Sequence, residues 1–188
     1  MTTIRFVRPS DAQRILEIYR PYVTDTAITF ETEVPSMTAF SQRIQDISAE
    51  YPYLVAEEDG RIVGYAYAHR YRERSAYQWS AELSVYVKQD MRGKGIGRNL
   101  YSELEKWLIK QNVYTVHACI ASPDRKDEHL TDDSEKFHKK LGFEIAGKHC
   151  QCGYKFGKWY SVIWMDKSIR KKTTKPEAFI PFTQISKT

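Results

Sequence analysis

The segment from Val85 to Leu108, VYVKQDMRGKGIGRNLYSELEKWL, changes from a two-residue to a helical hydrophobic rhythm, and this change constrains the fold strongly. A strand that ends at Lys88 and a helix that begins near Gly95 leave backbone N–H groups unpaired in one concavity, where the helix dipole favours an anion. Three glycines alternate there with three cations, in the order Arg92, Gly93, Lys94, Gly95, Gly97 and Arg98.

A lone glycine pair would more simply indicate a tight strand-to-helix turn. Three alternating glycines leave room for an anion to approach the backbone amides, so the segment predicts a pyrophosphate site. The spacing Gly-x-Gly-x-Gly differs from the dinucleotide fingerprint, and no Gly-Lys-Ser/Thr of a P-loop follows it. NAD and ATP are therefore not favoured as ligands.

The amino-terminal pattern predicts one strand and two helices. A strand at 4–8 precedes a helix for which Ser10 and Gln13 form a predicted capping box. Ser36 is the predicted cap of a second helix, which ends near Tyr51.

The remaining pattern predicts a mixed sheet. Residues 53–71 have the pattern of a β-hairpin, and residues 81–88 have the pattern of a strand. These are followed by a predicted helix, a strand and a short helix that Gly142 stops. Closing strands are predicted at about 143–151 and 159–167. The order β-α-α-β-β-β-α-β-α-β-β mixes hairpins with crossover helices, so it predicts an α/β (α+β) fold in which about four helices cover both faces of about seven strands.

Length favours one domain, since 188 residues and 22.0 kDa are few for two ordinary domains. We assign residues 1–168 to it. The tail, residues 169–188, opens with a basic run and contains a Pro-interrupted apolar patch, so we expect an extension that is flexible or docked on a partner.

Composition excludes several classes of protein. No apolar run is long enough for a membrane span and the amino terminus lacks a secretory signal, so we expect a cytoplasmic protein without membrane contact. Cys119, Cys150 and Cys152 form neither an even-numbered disulfide framework nor a paired zinc motif, so no metal is expected. The net charge of +5 could suit nucleic acid, but the Lys and Arg residues are scattered among 24 acidic residues rather than gathered into one stripe. A small anionic ligand fits the charge as well, and so does solubility alone.

The motif Arg92-x-x-Gly95-x-Gly97 after LSVYV resembles the acetyl-CoA motif of the GNAT N-acetyltransferases, and the chain is most similar to the phosphinothricin and methionine sulfoximine acetyltransferases. That closer resemblance covers about residues 4–167. It depends on five further segments: TFETE at 29–33, YPYLVAEEDG at 51–60, RERSAYQWSAELSVYV at 72–87, FHKKLGF at 137–143 and GYKFGKWY at 153–160.

The resemblance implies a splayed central sheet, with acetyl-CoA as co-substrate. The backbone at Val85 and Val87 would pair with the pantetheine arm, as an added strand does. The implied co-substrate residues are Val85, Tyr86, Val87, Arg92, Gly93, Lys94, Gly95, Ile96, Gly97, Arg98, Asp124 and Ser134. Asp124 replaces an asparagine usual in the family, before the added stretch 125–133. An ionised aspartate does not donate hydrogen bonds, so its contact with acetyl-CoA is open.

Acetyl transfer to an amine requires a base, because an α-amine is mostly protonated at neutral pH. Glu82 matches the glutamate that serves the family as base, although a strand-edge glutamate alone would more simply be solvated. His138 matches a family histidine and is the candidate proton donor to the departing thiolate, with a structural role as the alternative. The backbone N–H of Tyr86 or Val87 is the candidate donor to the oxyanion.

The resemblance also implies the acceptor site and a partner. Its implied substrate residues are Phe30, Glu31, Arg72, Arg74 and Tyr77. In an extended segment Arg72 and Arg74 share one face and can both bind carboxylate or phosphinate oxygens, although a solvated arginine pair is the simpler alternative. Family members are commonly homodimers whose subunits complete each other's pocket, so a homodimer is expected.

The predicted function is acetyl-CoA-dependent N-acetylation of a small amino acid such as phosphinothricin or methionine sulfoximine, with a detoxification role implied by the resemblance. One alternative is a GNAT enzyme that acts on another small amine, a polyamine or a peptide amino terminus. The arginines argue against polyamines. A non-catalytic module that binds CoA or nucleic acid is the third hypothesis, supported only by the basic charge and tail.

Overall fold

The structure is a computed structural model and describes residues 2–125 and 127–185. The strands are β1 Thr3–Phe6, β2 Tyr53–Glu58, β3 Arg61–Arg70, β4 Ser80–Val87, β5 Thr115–Ser122, β6 Glu144–Lys155 and β7 Lys158–Ser168. The helices are α1 Ala12–Thr24, α2 Met37–Glu50, α3 Ile96–Lys110, α4 Asp133–Lys140 and the short α5 Phe182–Ile185.

The strands form one mixed sheet in the order β1-β2-β3-β4-β5-β7-β6. β4 and β5 are parallel, because the connection between them includes the crossover helix α3. The other neighbours pair antiparallel. The predicted mixed sheet with helices on both faces is confirmed, and the order of its elements is the predicted one, with α5 added in the tail.

Helices cover the two faces of the sheet because the strand residues alternate between them. Along β2, Leu54 packs in the core under α3, whereas the next residue, Val55, packs in the core under α1 and α2. The predicted α3 stripe is buried at Leu100, Leu104 and Leu108. In the part of the chain described, no helix is both long and apolar enough to cross a bilayer.

The predicted helix caps fared differently. Ser36 caps α2 as predicted, since its Oγ accepts a hydrogen bond from the Ala39 N–H at 3.2 Å. The capping box at Ser10 and Gln13 is wrong, because Pro9–Asp11 form a 3₁₀ turn and α1 begins at Ala12 without a side-chain cap.

The closing strands are longer than predicted. β6 extends to Lys155 and β7 begins at Lys158, so a tight turn at Phe156 and Gly157, both with positive φ, joins them. The pairing is interrupted between His149 and Gly153, which makes the ladder irregular in the region where the predicted strand ends.

The described part of the tail lies on the domain itself. Asn112 Nδ2 donates a hydrogen bond to the Ala178 carbonyl at 2.8 Å, and the Ile180 N–H donates to the Gln111 carbonyl at 3.1 Å. Phe182 is buried against Phe6 and Trp107. Residues 186–188, which the predicted tail includes, lie outside the described residues, as does Lys126 of the predicted 125–133 stretch.

Candidate active site

The parallel strands β4 and β5 separate after three residue pairs. Ser80, Ala81 and Glu82 pair with residues 115–117, and no further pair continues this ladder among the described residues. The space beyond is a cleft with residues 83–86 on one wall and 118–121 on the other. Separation turns the inner edges of both strands toward the cleft instead of toward each other, where their backbone groups can pair with another extended chain.

The register of β4 decides which backbone groups face the cleft. Lys88 N donates to the Val63 carbonyl at 2.9 Å, so Lys88 and Val63 are a hydrogen-bonded pair of the antiparallel β3–β4 ladder. Hydrogen-bonded and non-hydrogen-bonded pairs alternate along such a ladder, so the next pair, Val87 and Gly64, is not hydrogen-bonded. The N–H and C=O groups of Val85 and Val87 therefore point away from β3 and into the cleft. Tyr86 points its N–H at β3, so of the two predicted oxyanion donors only Val87 faces the cleft.

The Tyr22 hydroxyl already contacts the backbone of Val87. It donates to the Val87 carbonyl at 2.5 Å and accepts from the Val87 N–H at 3.1 Å. Tyr22 therefore satisfies the groups that an added strand would use at this end of the cleft. We did not predict this residue, because in the sequence Tyr22 has the pattern of an ordinary core aromatic of α1.

The glycine segment connects β4 to α3 as predicted. Gly93 and Gly95 have φ angles of +78° and +80°, a conformation that side-chain-bearing residues rarely adopt. A Cβ at either glycine would meet no atom within 4 Å, so both backbones border open space. Gly97 serves a different purpose, since a Cβ there would lie 3.2 Å from the Phe137 ring. Its missing side chain lets α3 and α4 approach, which corrects the prediction that all three glycines clear space for an anion.

A groove of about 540 Å³ runs along this segment and joins the cleft at Ile28, Val85 and Ser134. Nine of the twelve predicted co-substrate residues line it: Val85, Val87, Arg92, Gly93, Gly95, Ile96, Gly97, Arg98 and Ser134. Lys136 and Lys140 of α4 also line the groove and add positive charge that the sequence reading missed. The groove therefore combines an N-terminal helix end with a cationic rim, which suits a polyanion.

Three predicted co-substrate residues lie elsewhere. Tyr86 lines the cleft rather than the groove, and Lys94 directs Nζ at the Met91 sulfur, 3.2 Å away. Asp124 binds Lys148 Nζ at 2.6 Å and Ser161 Oγ at 2.7 Å. Its carboxylate thus connects to β6 and β7 and is not part of the groove lining.

Glu82 belongs to a row of titratable side chains on one face of four adjacent strands. The register pairs Glu82 with His69 of β3 on one side and His117 of β5 on the other, and it pairs His117 with Asp166 of β7. The Glu82 side chain is 17% exposed, and its Oε1 lies 3.8 Å from His69 Nε2. Burial raises the pKa of its carboxyl, although nearby His69, Arg72 and His117 oppose the shift. A raised pKa makes Glu82 a stronger base than an exposed glutamate.

His138 is buried at the other wall of the cleft and both its nitrogens are hydrogen-bonded. Nδ1 lies 2.7 Å from the Ser134 carbonyl, and Nε2 lies 3.1 Å from the Tyr101 hydroxyl. Burial lowers the pKa of His138 to about 4, so the ring is neutral at pH 7. Because a carbonyl only accepts, Nδ1 carries the hydrogen and Nε2 accepts from Tyr101. The sequence did not predict Tyr101 as the partner of His138, because Tyr101 lies among the apolar residues of α3.

The predicted substrate residues fall into two groups. Arg72 lies over the rings of Tyr71 and Trp164, at 4.5 and 5.0 Å, on the side of the sheet where Glu82 lies. Tyr77 packs edge-on against Tyr71. Arg74 is exposed and precedes the 3₁₀ turn at 75–77.

Phe30 and Glu31 belong to the second group, on the loop after α1. Glu31 pairs with Arg43 of α2 at 2.8 Å, and its Oε2 is buried without a partner among the described residues. Phe30 lies against Gly153 so closely that a Cβ there would be 2.1 Å from the ring.

Lys155 holds this loop in place. It is 5% exposed, and its Nζ donates to the carbonyls of Thr26 and Thr29, each at 2.8 Å. The added stretch also contacts the loop, since Ala27 N donates to the His129 carbonyl at 3.0 Å. The loop that carries Phe30 and Glu31 is thus fixed by the closing hairpin and by residues after Asp124. No group of three or more His, Cys, Asp or Glu side chains within 2–125 and 127–185 is arranged to hold a metal ion.

Residues 4–164 match the family model described as an acetyltransferase (GNAT) domain. The chain belongs to the GNAT acetyltransferase family. This confirms the resemblance drawn from the glycine segment, and the separated β4–β5 pair is the splay that the resemblance implies.

Several characterised relatives are similar along almost their whole length. The phosphinothricin N-acetyltransferase of Alcaligenes faecalis is 36% identical over 182 residues, covering 93% of this chain and 87% of the relative. The L-methionine sulfoximine/L-methionine sulfone acetyltransferase of Pseudomonas aeruginosa is 33% identical and covers 93% and 98%. A crystal structure of a phosphinothricin acetyltransferase from Sinorhizobium meliloti in complex with acetyl-CoA has a TM-score of 0.86 and 34% identity, and covers 97% of both chains.

Proposed function

We propose that this GNAT acetyltransferase transfers acetyl from acetyl-CoA to the α-amino group of a small amino acid such as phosphinothricin or methionine sulfoximine. The observation that carries the proposal is the position of Glu82. It is the last β4 residue paired with β5, directly before the strands separate, so a base borders the cleft that the groove enters. The relatives named above support this choice of acceptor.

Acetyl-CoA supplies the acetyl thioester, and the groove residues are proposed to bind its pyrophosphate through the amides of 93–97 and the cations at Arg92 and Arg98. The backbones of Val85 and Val87 would pair with the pantetheine arm, Val87 after Tyr22 yields it. Val87 lies five residues from Glu82, about 16 Å of extended strand, so its N–H is too far away to meet an oxyanion that forms beside an amine held at Glu82.

Proton transfer in this proposal uses both walls of the cleft. Glu82 removes a proton from the acceptor ammonium, which gives the neutral amine that attacks the thioester. At the opposite wall, His138 and the Tyr101 hydroxyl form a hydrogen-bonded pair that can stabilise the departing thiolate. Since His138 is neutral at pH 7, the hydrogen bond to the departing thiolate is proposed to come from the Tyr101 hydroxyl, which turns its single hydrogen from His138 Nε2 to the sulfur and keeps its proton.

Recognition of the amino acid is proposed for the side chains on the Glu82 face. Arg72 would bind carboxylate or phosphinate oxygens, and Arg74 and Tyr77 would border the same opening. Phe30 would pack against the acceptor side chain, and Glu31, fixed by Arg43, would bind its polar groups.

The test is an acceptor screen at neutral pH in which CoA release is followed by free-thiol detection. Methionine sulfoximine and phosphinothricin should be acetylated with the highest kcat/KM. A polyamine and a peptide with an amino-terminal alanine serve as competing acceptors. The peptide is included because a ribosomal-protein-alanine N-acetyltransferase from Brucella melitensis has a similar structure, with 32% identity and a TM-score of 0.81, covering 88% of this chain and 99% of that one. Faster acetylation of either competitor would reject the amino-acid assignment.

We also propose a homodimer formed through the closing hairpin. β6 is an edge strand, and Ile145, Tyr154 and Trp159 expose 51%, 58% and 60% of their surfaces on β6 and β7. Light scattering should give twice the chain mass for wild type and the chain mass for Trp159→Glu. A wild-type monomer at micromolar concentration would reject this interface. The cytoplasmic location and the division at residue 168 stay predictions.

A further inference from the structure

A buried imidazole nitrogen lies in the same row as Glu82 and makes no hydrogen bond within the described residues. It is Nε2 of His117, whose side chain is 9% exposed on β5. A buried polar atom without a partner costs free energy, so its presence needs an explanation. A purely structural residue at this position would be better served by an apolar side chain of similar size.

Two contacts fix the orientation of the His117 ring. Nδ1 lies 2.7 Å from Asp166 Oδ1. Tyr71 stacks on the ring with centroids 3.8 Å apart and planes 12° apart. An ionised carboxylate only accepts hydrogen bonds, so Nδ1 of the neutral ring carries the hydrogen and Nε2 presents a lone pair. That lone pair points away from β7, because Nδ1 is the nitrogen directed at it.

The groups around His117 suit the movement of a proton. Its strand neighbours in the row are Glu82 on β4, followed by His69 on β3, and Asp166 on β7. Arg72 approaches from the segment after β3, and Cys119 lies two residues further along the same face of β5. Asp166 has a side chain that is 40% exposed, whereas that of Glu82 is 17% exposed. The row thus connects the less accessible base to solvent.

We propose that His117, oriented by Asp166, is a proton relay for Glu82. Glu82 takes a proton from the acceptor ammonium and passes it to His117, directly or through a bound water. His117 then releases a proton to solvent at Asp166. This inference rests on the proposed function. His117 is a positioning and relay residue that acts through Glu82.

The proton balance of the reaction requires such an exit. An ammonium acceptor loses two protons when the N–C bond forms and the C–S bond breaks, since –NH₃⁺ becomes an amide N–H. One proton goes to the departing thiolate, and the other must reach solvent. Glu82 can begin the next turnover only when it has passed its proton on. The row contains two imidazoles beside Glu82, and we assign this step to His117 rather than His69 because His117 Nε2 is buried without another partner among the described residues.

The test compares His117→Gln with wild type at two pH values, with methionine sulfoximine as acceptor. Glutamine keeps a polar contact to Asp166 but cannot carry a proton. We expect kcat to fall about 10- to 100-fold at about pH 7 and less than about 3-fold at about pH 9.5, where more of the acceptor amine is already neutral. His117→Ala should regain activity with added imidazole, which a structural role would not permit.

The control is Arg14→Gln, because Arg14 is exposed on α1 and belongs to neither the row nor the closing hairpin, and its kinetics should equal those of wild type. Acetyl-CoA affinity by calorimetry should be unchanged in every variant. Should His117→Gln misfold, Asp166→Asn tests the exposed end of the row, with an expected loss of about 3- to 10-fold that again shrinks at high pH. The same loss at both pH values, or no loss, overturns the relay. A wild type that acetylates no amine instead overturns the proposed function.

Discussion

Replacing Lys155 with methionine should loosen the loop that carries Phe30 and Glu31. The Lys155 ammonium is buried and donates to the carbonyls of Thr26 and Thr29, each at 2.8 Å. Methionine is close in length and apolar, so it fills the space but leaves both carbonyls without this donor. The change therefore isolates the hydrogen bonds from the packing.

The magnitude follows from those two contacts. Each hydrogen bond to a charged group contributes about 1.5–3 kcal/mol, so two contribute about 3–6 kcal/mol before opposing effects. Burial lowers the pKa of Lys155, which shows that the charged form is disfavoured by desolvation, and methionine removes that cost. We expect the free energy of unfolding to fall by about 2–4 kcal/mol.

Urea denaturation measures this change, and steady-state kinetics measures its effect on the site. The KM for the amino acid should rise about 10-fold while the Kd for acetyl-CoA stays constant, because the groove does not include Lys155. Lys148→Met is the matched control, since Lys148 forms an exposed ion pair with Asp124 and should lose less than about 1 kcal/mol. Equal stability of the two variants would refute the reasoning.

Three further predictions concern the base, the glycine turn and the amino terminus. Glu82→Gln should lower kcat about 10²- to 10⁴-fold at neutral pH, and the wild-type rate should fall as pH decreases through a Glu82 pKa above 4.5, because only the ionised base accepts a proton. Gly95→Ala should strain a backbone with φ of +80° by about 1–2 kcal/mol and weaken acetyl-CoA binding in calorimetry, unlike Gly147→Ala, because an added Cβ has open space at both glycines but only Gly95 has a positive φ. Burial opposes ionisation of Asp11, but hydrogen bonds from Arg5 and the Arg8 N–H outweigh it and lower its pKa below 3.8. The free energy of unfolding of wild type should therefore exceed that of Asp11→Asn by about 1–3 kcal/mol at neutral pH, and in urea denaturation this difference should be lost as pH falls through the lowered Asp11 pKa.

The fold was predictable wherever a local pattern is sufficient. The β2–β3 hairpin turns at Asp59 and Gly60, whose positive φ angles are those expected of that pair. The predicted capping box is absent because a residue outside the pattern competes for this segment. Asp11, between the predicted partners, is bound by Arg5 of β1, and the chain forms a 3₁₀ turn there instead.

The candidate site divides in the same way. The glycine segment lies within one strand-turn-helix unit, so spacing and charge were enough to predict its groove, and family resemblance was enough to nominate Glu82 and His138. The partners of these residues were not predictable. Tyr101 lies 37 positions before His138, and its place among apolar residues of α3 hides the hydroxyl that meets the imidazole.

By itself the sequence determined the order of the elements, the alternation that sorts each strand between two cores, and the glycine turn between β4 and α3, because these depend on neighbours a few residues apart. Only the tertiary structure decided where β4 and β5 separate and which side chains the register brings into one row. His117 and Asp166 are 49 positions apart and share a hydrogen bond because β5 and β7 pair in that register. Contacts of this kind follow from the assembly of the whole sheet, which no local pattern encodes.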